Sequence, residues 1–340
     1  MARSLVSTYS RLDRLPLTVE RYELERLEQQ VSRGFRIVRT VVHLHGGGEE
    51  GVGEDVTWYP EAHGEDPGLA LAGSWTLDSF SESLRIAEQW RRWAYESAAL
   101  DLALRQAGRS LAEVLEREPR PVRFVVSAAL GADDADPSVA PLLRWLELYP
   151  ELRFKLDPTS KWSAQLVSEL AATGRVDTVD LKAFYRTEEA PPPDVGLYER
   201  VATGFPEAWI EDPALTPETE PVLEPYRDRI TWDAPIHSVA DVEALAFPPR
   251  TLNSKPSRFG SLRALFDFYD HCEARGIGLY GGGMFELGPG RGQIQYLAAL
   301  FHPDAANDVA PRGYNNPEPQ PGLPESPLEP RISATGFRLE

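Results

Sequence analysis

The runs 176-VDTVD-180, 208-AWIE-211, 230-ITWD-233 and 251-TLNSK-255 each end a short apolar stretch on a charged residue: Asp180, Glu211, Asp233 and Lys255. Their β-branched and aromatic residues suit buried parallel strands, and each run is followed by a loop and then a helical pattern. The steps from 180 to 211, 211 to 233 and 233 to 255 are 31, 22 and 22 residues, about the length of one strand plus its crossover helix. Successive units of that length build a (β/α) barrel, whose C-terminal strand ends converge on one mouth. Three carboxylates brought together there repel one another unless a cation lies between them. A lysine one strand further round then faces whatever the cation holds.

Outward from this stretch, further runs extend the same pattern. PRPVRFVVSAAL supplies a first barrel strand and LRFKLDP a second, with SAQLVSELAATG as the helix behind it. IGLYGGG reads as the seventh strand, and MFELGPGRGQIQYLAALF as the helix that closes the ring. Towards the N-terminus, YELERLEQQV, FRIVRTVVHLH and GVGEDVTW alternate as strands around the turn chemistry of GGGEEG, an antiparallel meander. Residues 77 to 118 carry helical spacing, with Ser79 or Ser81 as the starting cap and Gly108 as a stop between two helices. The organisation predicted is an α/β chain: an α+β capping domain over 1–118, a modified TIM-type (β/α) barrel over 119–311, and a segment 312–340 returning to the cap. Six prolines between 317 and 330 exclude regular helix or a central strand there. ISATGFRLE at the end reads as a strand rejoining the first domain.

Composition narrows the function. A formal charge of −18 without a basic patch argues against nucleic acid and anionic membranes as partners. No run reaches membrane-spanning length and the N-terminus lacks a signal-peptide core, which together with the single Cys272 points to the cytoplasm. Among 35 basic side chains only four are lysine, at 155, 161, 182 and 255. Lysine, unlike arginine, can release its proton when its surroundings depress its pKa. His43 and His45 share a strand face, but the sequence offers no third metal ligand near them.

On these residues the chain resembles the enolase superfamily, specifically its muconate-lactonizing subgroup. GVGED resembles the G-x-G-E that closes the cap meander, and AYESAALDLALRQAGRSL the helix leading into the barrel. KPSRFGSL is similar to the K-P-x-x-x-G-G-L motif of the sixth strand. GGGMFELGPGRG is similar to a motif of o-succinylbenzoate synthases and N-acylamino acid racemases. The resemblance implies Mg²⁺, with Mn²⁺ as a substitute, on Asp180, Glu211 and Asp233. It also implies a small-molecule carboxylate substrate whose α-proton is removed, with Lys255 as base or electrostatic stabiliser. A homo-oligomer stays open.

Two departures bear on the chemistry. Where the subgroup carries K-x-K, this chain has Lys155-Leu156-Asp157, and where it carries D-x-N, the chain has Asp180-Leu181-Lys182. Strand alternation puts Lys182 on the face of Asp180, so Lys182 is a candidate replacement for the missing amine, or else an ordinary ion-pair partner of Asp157. Lys155, Lys182 and Asp157 thus join Lys255 as candidate acid/base residues. The outcome is elimination of water or racemisation/epimerisation, and the alternative is a barrel that binds metal or carboxylate without turnover.

Overall fold

The computed structural model describes residues 7–32, 35–64, 66–131, 136–185, 192–316 and 318–339. The cap contains β1 (Pro16–Val19), β2 (Arg21–Ser32), β3 (Phe35–Gly46), β4 (Glu49–Asp55) and β5 (Gly73–Thr76). β2, β3 and β4 form the expected antiparallel meander, turning between β3 and β4 on Gly47 and Gly48 at φ +59° and +78°. β1 and β5 pair antiparallel in a separate two-stranded sheet. PLTV and GSWT are too short and too far apart in sequence for periodicity to link them.

Three helices follow: α1 (Leu77–Ser83), α2 (Gln89–Gln106) and α3 (Leu111–Leu115). The cap of α1 is Thr76; Ser79 is its reciprocal partner three residues on, rather than the cap itself, and Ser81 lies inside the helix. Gly108, at φ +65°, turns the chain from α2 to α3. The motif glycines of GVGED have a packing cause. A Cβ on Gly51 would lie 2.2 Å from the Ala98 carbonyl oxygen, and one on Gly53 2.0 Å from that of Ala94. Backbone thus meets backbone where α2 rests on β4. Residues Trp93 to Leu104 are all buried because α2 is covered by β4 on one side and by the barrel segment Pro256–Phe259 on another.

The barrel runs through β6 (Val126–Ala128), β7 (Phe154–Leu156), β8 (Val176–Asp180), β9 (Trp209–Glu211), β10 (Ile230–Thr231), β11 (Thr251–Ser254) and β12 (Gly278–Gly281). β6 to β10 form one parallel sheet and β11 with β12 a parallel pair. The two are joined where the Asn253 N–H donates to the Trp232 carbonyl at 3.0 Å and the Thr231 hydroxyl to the Thr251 carbonyl at 2.9 Å. The other seam is closed by a short segment after the last long helix. Asp308 bridges Gly282, Asn307 bridges Phe124, and the Val125 N–H reaches the Asn307 carbonyl at 2.8 Å. This two-residue stretch takes the eighth place, so the ring is not closed by the MFELGPGRG helix, which begins only at Pro289. Outside the strands lie α4 (Ala140–Leu148), α5 (Ala164–Ala172), α6 (Val195–Gly204), α7 (Glu220–Leu223), α8 (Val239–Glu243), α9 (Pro256–Phe259), α10 (Leu262–Arg275) and α11 (Pro289–Phe301).

Alternation sorts the strand residues into two shells. Phe154, Leu156, Val179, Ile210 and Leu252 form a dry layer beneath the helices, while Lys155, Asp180, Glu211, Thr231 and Tyr280 turn inward. The proline-rich arm holds a short 3₁₀ turn at Arg312–Asn315 and is pinned by Tyr149, whose hydroxyl donates to the Gln320 carbonyl at 2.6 Å and accepts the Leu323 N–H. In the last run, which forms no regular strand among the described residues, the Phe337 N–H and Arg338 both donate to the buried carboxylate of Asp101 on α2. Pro317 of the arm and Glu340 of the last run lie outside the described residues.

Candidate metal and acid/base centre

Contacts between strands that are not neighbours show which side chains fill the barrel's mouth. Lys155 on β7 pairs with Glu211 on β9, and its Nζ lies 3.1 Å from Asp180 Oδ2 on β8 between them. From across the ring, the Tyr280 hydroxyl of β12 donates to Glu211 Oε2 at 2.6 Å. Lys155, Asp180 and Glu211 are all buried. Burial opposes the charge on Lys155, but Glu211 and Asp180 outweigh it and hold the ammonium well above the ordinary lysine range. Burial opposes ionisation of Asp180 as well, yet Lys155 and Lys182 bring it down to about 2.

Past the strand ends the chain bends sharply. Lys182 and Asp212 both adopt φ +49°, a left-handed conformation that costs a side-chain-bearing residue about 1 kcal/mol. β8 ends at Asp180, so strand alternation does not govern Lys182; the left-handed bend folds its side chain back instead. Lys182 Nζ donates to Asp180 Oδ2 at 2.9 Å and lies 3.3 Å from Asp157 Oδ2. At Asp212 the same bend turns the carboxylate onto the next strand's backbone, accepting the N–H of Asp233 at 2.8 Å and of Ala234 at 2.9 Å. Burial and the charge of Asp233 push Asp212 up to about 6.

Asp233, expected as the third metal ligand, is held by two cations. Lys255 Nζ donates to its Oδ2 at 2.8 Å, and Arg258 Nη1 to its Oδ1 at 2.6 Å. Despite complete burial these partners keep its pKa far below the ordinary aspartate value. Arg258 also donates to the Tyr185 hydroxyl at 3.0 Å. The carboxylate oxygens that gather within 4.8 Å of one another, among the described residues, belong to Asp180, Glu211 and Asp212.

This set suits a hard divalent cation: every donor is a carboxylate oxygen, and the Lys155 ammonium seated between two of them marks a place where positive charge is stable. Asp180, Glu211, Asp233, Lys155, Lys182, Asp157 and Lys255 therefore all meet at one mouth. Asp212, Arg258, Tyr185 and Tyr280 join them without a strand-end signal in the sequence: Arg258 lies inside KPSRFGSL, and Asp212 directly follows Glu211. Lys161 is exposed and takes no part in these contacts.

The fold is that of the enolase superfamily: a TIM-type barrel with a capping domain. An enolase-superfamily member from Listeria innocua is similar at a TM-score of 0.68 and 21% identity, over 87% of this chain and 86% of that one. A dipeptide epimerase from Methylococcus capsulatus, complexed with a Mg ion, is similar at 0.64 and 20%, over 86% and 88%. A muconate cycloisomerase from Pseudomonas fluorescens is similar at 0.65 and 18%, over 94% of each chain. No curated protein matches the chain in sequence. Residues 118–316 match the C-terminal domain, and residues 10–114 the N-terminal domain, of a family described as a domain of unknown function, DUF8230; the chain belongs to that family.

Proposed function

We propose that the chain is a Mg²⁺-dependent enzyme that removes a proton from the carbon next to a carboxylate, leading to elimination of water or to epimerisation. The observation that carries this reading is the oxygen cluster of Asp180, Glu211 and Asp212 at the strand ends, ringed by Lys155, Lys182, Lys255 and Arg258. Asp180 and Glu211, with Asp233 or Asp212 as third ligand, would hold a Mg²⁺, which would supply Lewis-acid stabilisation of the charge on a carboxylate substrate.

The chain's own cations divide the remaining work. Lys182 and Lys255 follow β8 and β11, three strands apart in the ring, and so reach a substrate from different sides. Lys182 sits against two carboxylates and keeps its proton, which suits it to donate one or to stabilise negative charge. Lys255 shares its one carboxylate partner, Asp233, with Arg258 and is the base in this reading. Lys155, tied to Asp180 and Glu211, steadies the ligands. Burial of the cluster strengthens each of these interactions.

The test is deuterium uptake at the α-carbon of a panel of carboxylates in D₂O with Mg²⁺, alongside Lys255→Met and Lys182→Met. Both variants should keep Mg²⁺ affinity, measured by calorimetry, and lose exchange by orders of magnitude. Wild-type exchange in Lys182→Met would reduce Lys182 to a structural ion pair. The aspartate at 157, where the resemblance calls for lysine, favours a second reading, a barrel that binds carboxylate without turnover. Carboxylate binding with no exchange anywhere in the panel would establish it.

A further inference from the structure

The carboxylate of Glu211 is gripped from two sides. Its Oε1 is paired with Lys155, whose ammonium also lies 3.1 Å from Asp180 Oδ2, so Oε1 is the oxygen turned towards Asp180. Its Oε2 accepts the Tyr280 hydroxyl at 2.6 Å from β12, three strands further round the ring. The phenol is itself firmly held. β12 pairs in register with β11, Tyr280 beside Asn253, and the N–H of the next residue, Gly281, donates to Asn307 Oδ1 at 2.6 Å where the ring closes. Thr231 Oγ1 on β10 stands 3.3 Å from the phenol oxygen. Tyr280 is buried, and burial together with the charge of Glu211 pushes its pKa well above the ordinary phenol value. The hydroxyl therefore keeps its proton and stays a donor.

A carboxylate binds a cation through one oxygen or chelates it through both. Ca²⁺ gathers about six to eight oxygens at about 2.3–2.6 Å in flexible geometry and accepts the chelating mode. Mg²⁺ demands a near-ideal octahedron at about 2.0–2.1 Å, which single-oxygen ligands fit best. With Oε2 committed to the phenol, a cation shared by Asp180 and Glu211 would meet Oε1 alone. Partners that orient a metal ligand are worth about 10–100-fold in affinity. Here the partner also decides how many oxygens the ligand offers, and so which cation it suits.

We propose that Tyr280 is a positioning residue that holds Glu211 to single-oxygen coordination and thereby favours Mg²⁺ over Ca²⁺; this rests on the reading of the barrel mouth as a divalent-cation site. The test is calorimetry with Mg²⁺ and with Ca²⁺, each alone, on the chelator-treated full chain, on Tyr280→Phe and on Tyr269→Phe. The last removes the same atom from another buried tyrosine, whose oxygen accepts the Ser254 hydroxyl at 2.7 Å and serves no carboxylate there. The unaltered chain should bind Mg²⁺ at least about tenfold more tightly than Ca²⁺. Tyr280→Phe should lose about tenfold or more in Mg²⁺ affinity while Ca²⁺ affinity holds or rises, so the ratio of the two falls by at least that factor. Tyr269→Phe should leave the ratio unchanged. Equal losses for both cations in Tyr280→Phe would reduce Tyr280 to a structural part and overturn the proposal, with the cation site itself left standing. A preference of the unaltered chain for Ca²⁺ overturns it too, and that measurement needs no variant to fold. Binding of neither cation by the unaltered chain would remove the site and the proposal together. Circular dichroism confirms that each variant is folded.

Discussion

The buried charged network at the barrel mouth and the one at the seam between cap and barrel are satisfied in different ways. At the mouth, charge meets charge: Lys155 lies between Asp180 and Glu211, and Lys255 and Arg258 both grip Asp233. At the seam, charge meets backbone. Arg39 of β3, almost wholly buried, donates to the carbonyls of Met284 and Phe285 from the β12–α11 connection, and to those of Val38 and Thr57 in the cap. Glu54 of β4 accepts the N–H groups of Leu287, Gly288 and Gly290 at 2.6, 3.0 and 2.9 Å, capping the start of α11. Phe285 stands at φ +57° between the two grips. Side-chain cations can yield to an incoming ligand, whereas backbone groups cannot leave. The mouth is therefore built to exchange partners, and the seam to hold the connection in one shape.

The strongest way to break this comparison is to remove one charge from each network. Glu211→Gln should lower Mg²⁺ affinity sharply. Partners of metal ligands alone are worth about 10–100-fold, so Glu211, as the proposed direct ligand, should cost at least that, while Lys155 keeps Asp180 and the fold survives. Arg39→Met should do the reverse. It leaves carbonyls without donors and takes a cation away from Glu54 and Glu286, a loss of about 3 kcal/mol or more, with Mg²⁺ affinity of the folded protein little changed. Denaturant unfolding and calorimetry on both variants would check this. A stability loss for Glu211→Gln as large as that for Arg39→Met would erase the distinction.

The seam also carries a pH signature. Burial and the neighbouring Glu286 push Glu54 up to about 7, against the opposing pull of three backbone N–H groups. A carboxyl whose folded pKa lies above its unfolded value of 4.5 stabilises the fold below that value and loses the contribution as pH rises to about 7. At about 1.4 kcal/mol per pH unit, the interval is worth at most about 3.5 kcal/mol. Unfolding free energies from pH 4 to 8 should therefore show a decline in the wild type that is smaller in Glu54→Gln. Parallel curves would mean that Glu54 ionises in the folded state as it does in the unfolded chain.

The two networks were unequally legible in the sequence. The mouth could be read because parallel strands impose a period: a charged residue ending each apolar run is visible at intervals of one βα unit, and Lys155, Asp180, Glu211, Asp233 and Lys255 all meet there. What lies one step beyond a strand could not be read so well. Lys182 reaches Asp180 through a left-handed bend, not through alternation, and Asp212 turns back on the neighbouring strand for the same reason. Arg258 sits on the four-residue α9, where no periodicity applies. The seam was harder still. Arg39 and Glu54 lie in ordinary alternating strands, and their partners are backbone groups some 245 and 233 residues away, which leave no residue-type signal. The ring's closure by Asn307 and Asp308 was likewise hidden, since two residues carry no pattern.

At the rim of the mouth, Lys182 and Asp157 sharpen the comparison on the smallest scale. Their side chains are 43% and 52% exposed and lie 3.3 Å apart, and an ion pair so accessible to water is worth about 0–1 kcal/mol. Asp157→Asn should accordingly change the unfolding free energy by less than about 1 kcal/mol. Its effect on α-proton exchange carries the information. Lys182 keeps Asp180 as a partner at 2.9 Å, so loss of the Asp157 charge frees it on one side without stranding it. If Asp157 only parks Lys182 in the absence of substrate, exchange in Asp157→Asn should stay near the wild-type rate while Lys182→Met loses it. A fall in Asp157→Asn as deep as that in Lys182→Met would instead make the aspartate a participant in the proton transfer, in the place where the resemblance calls for a lysine.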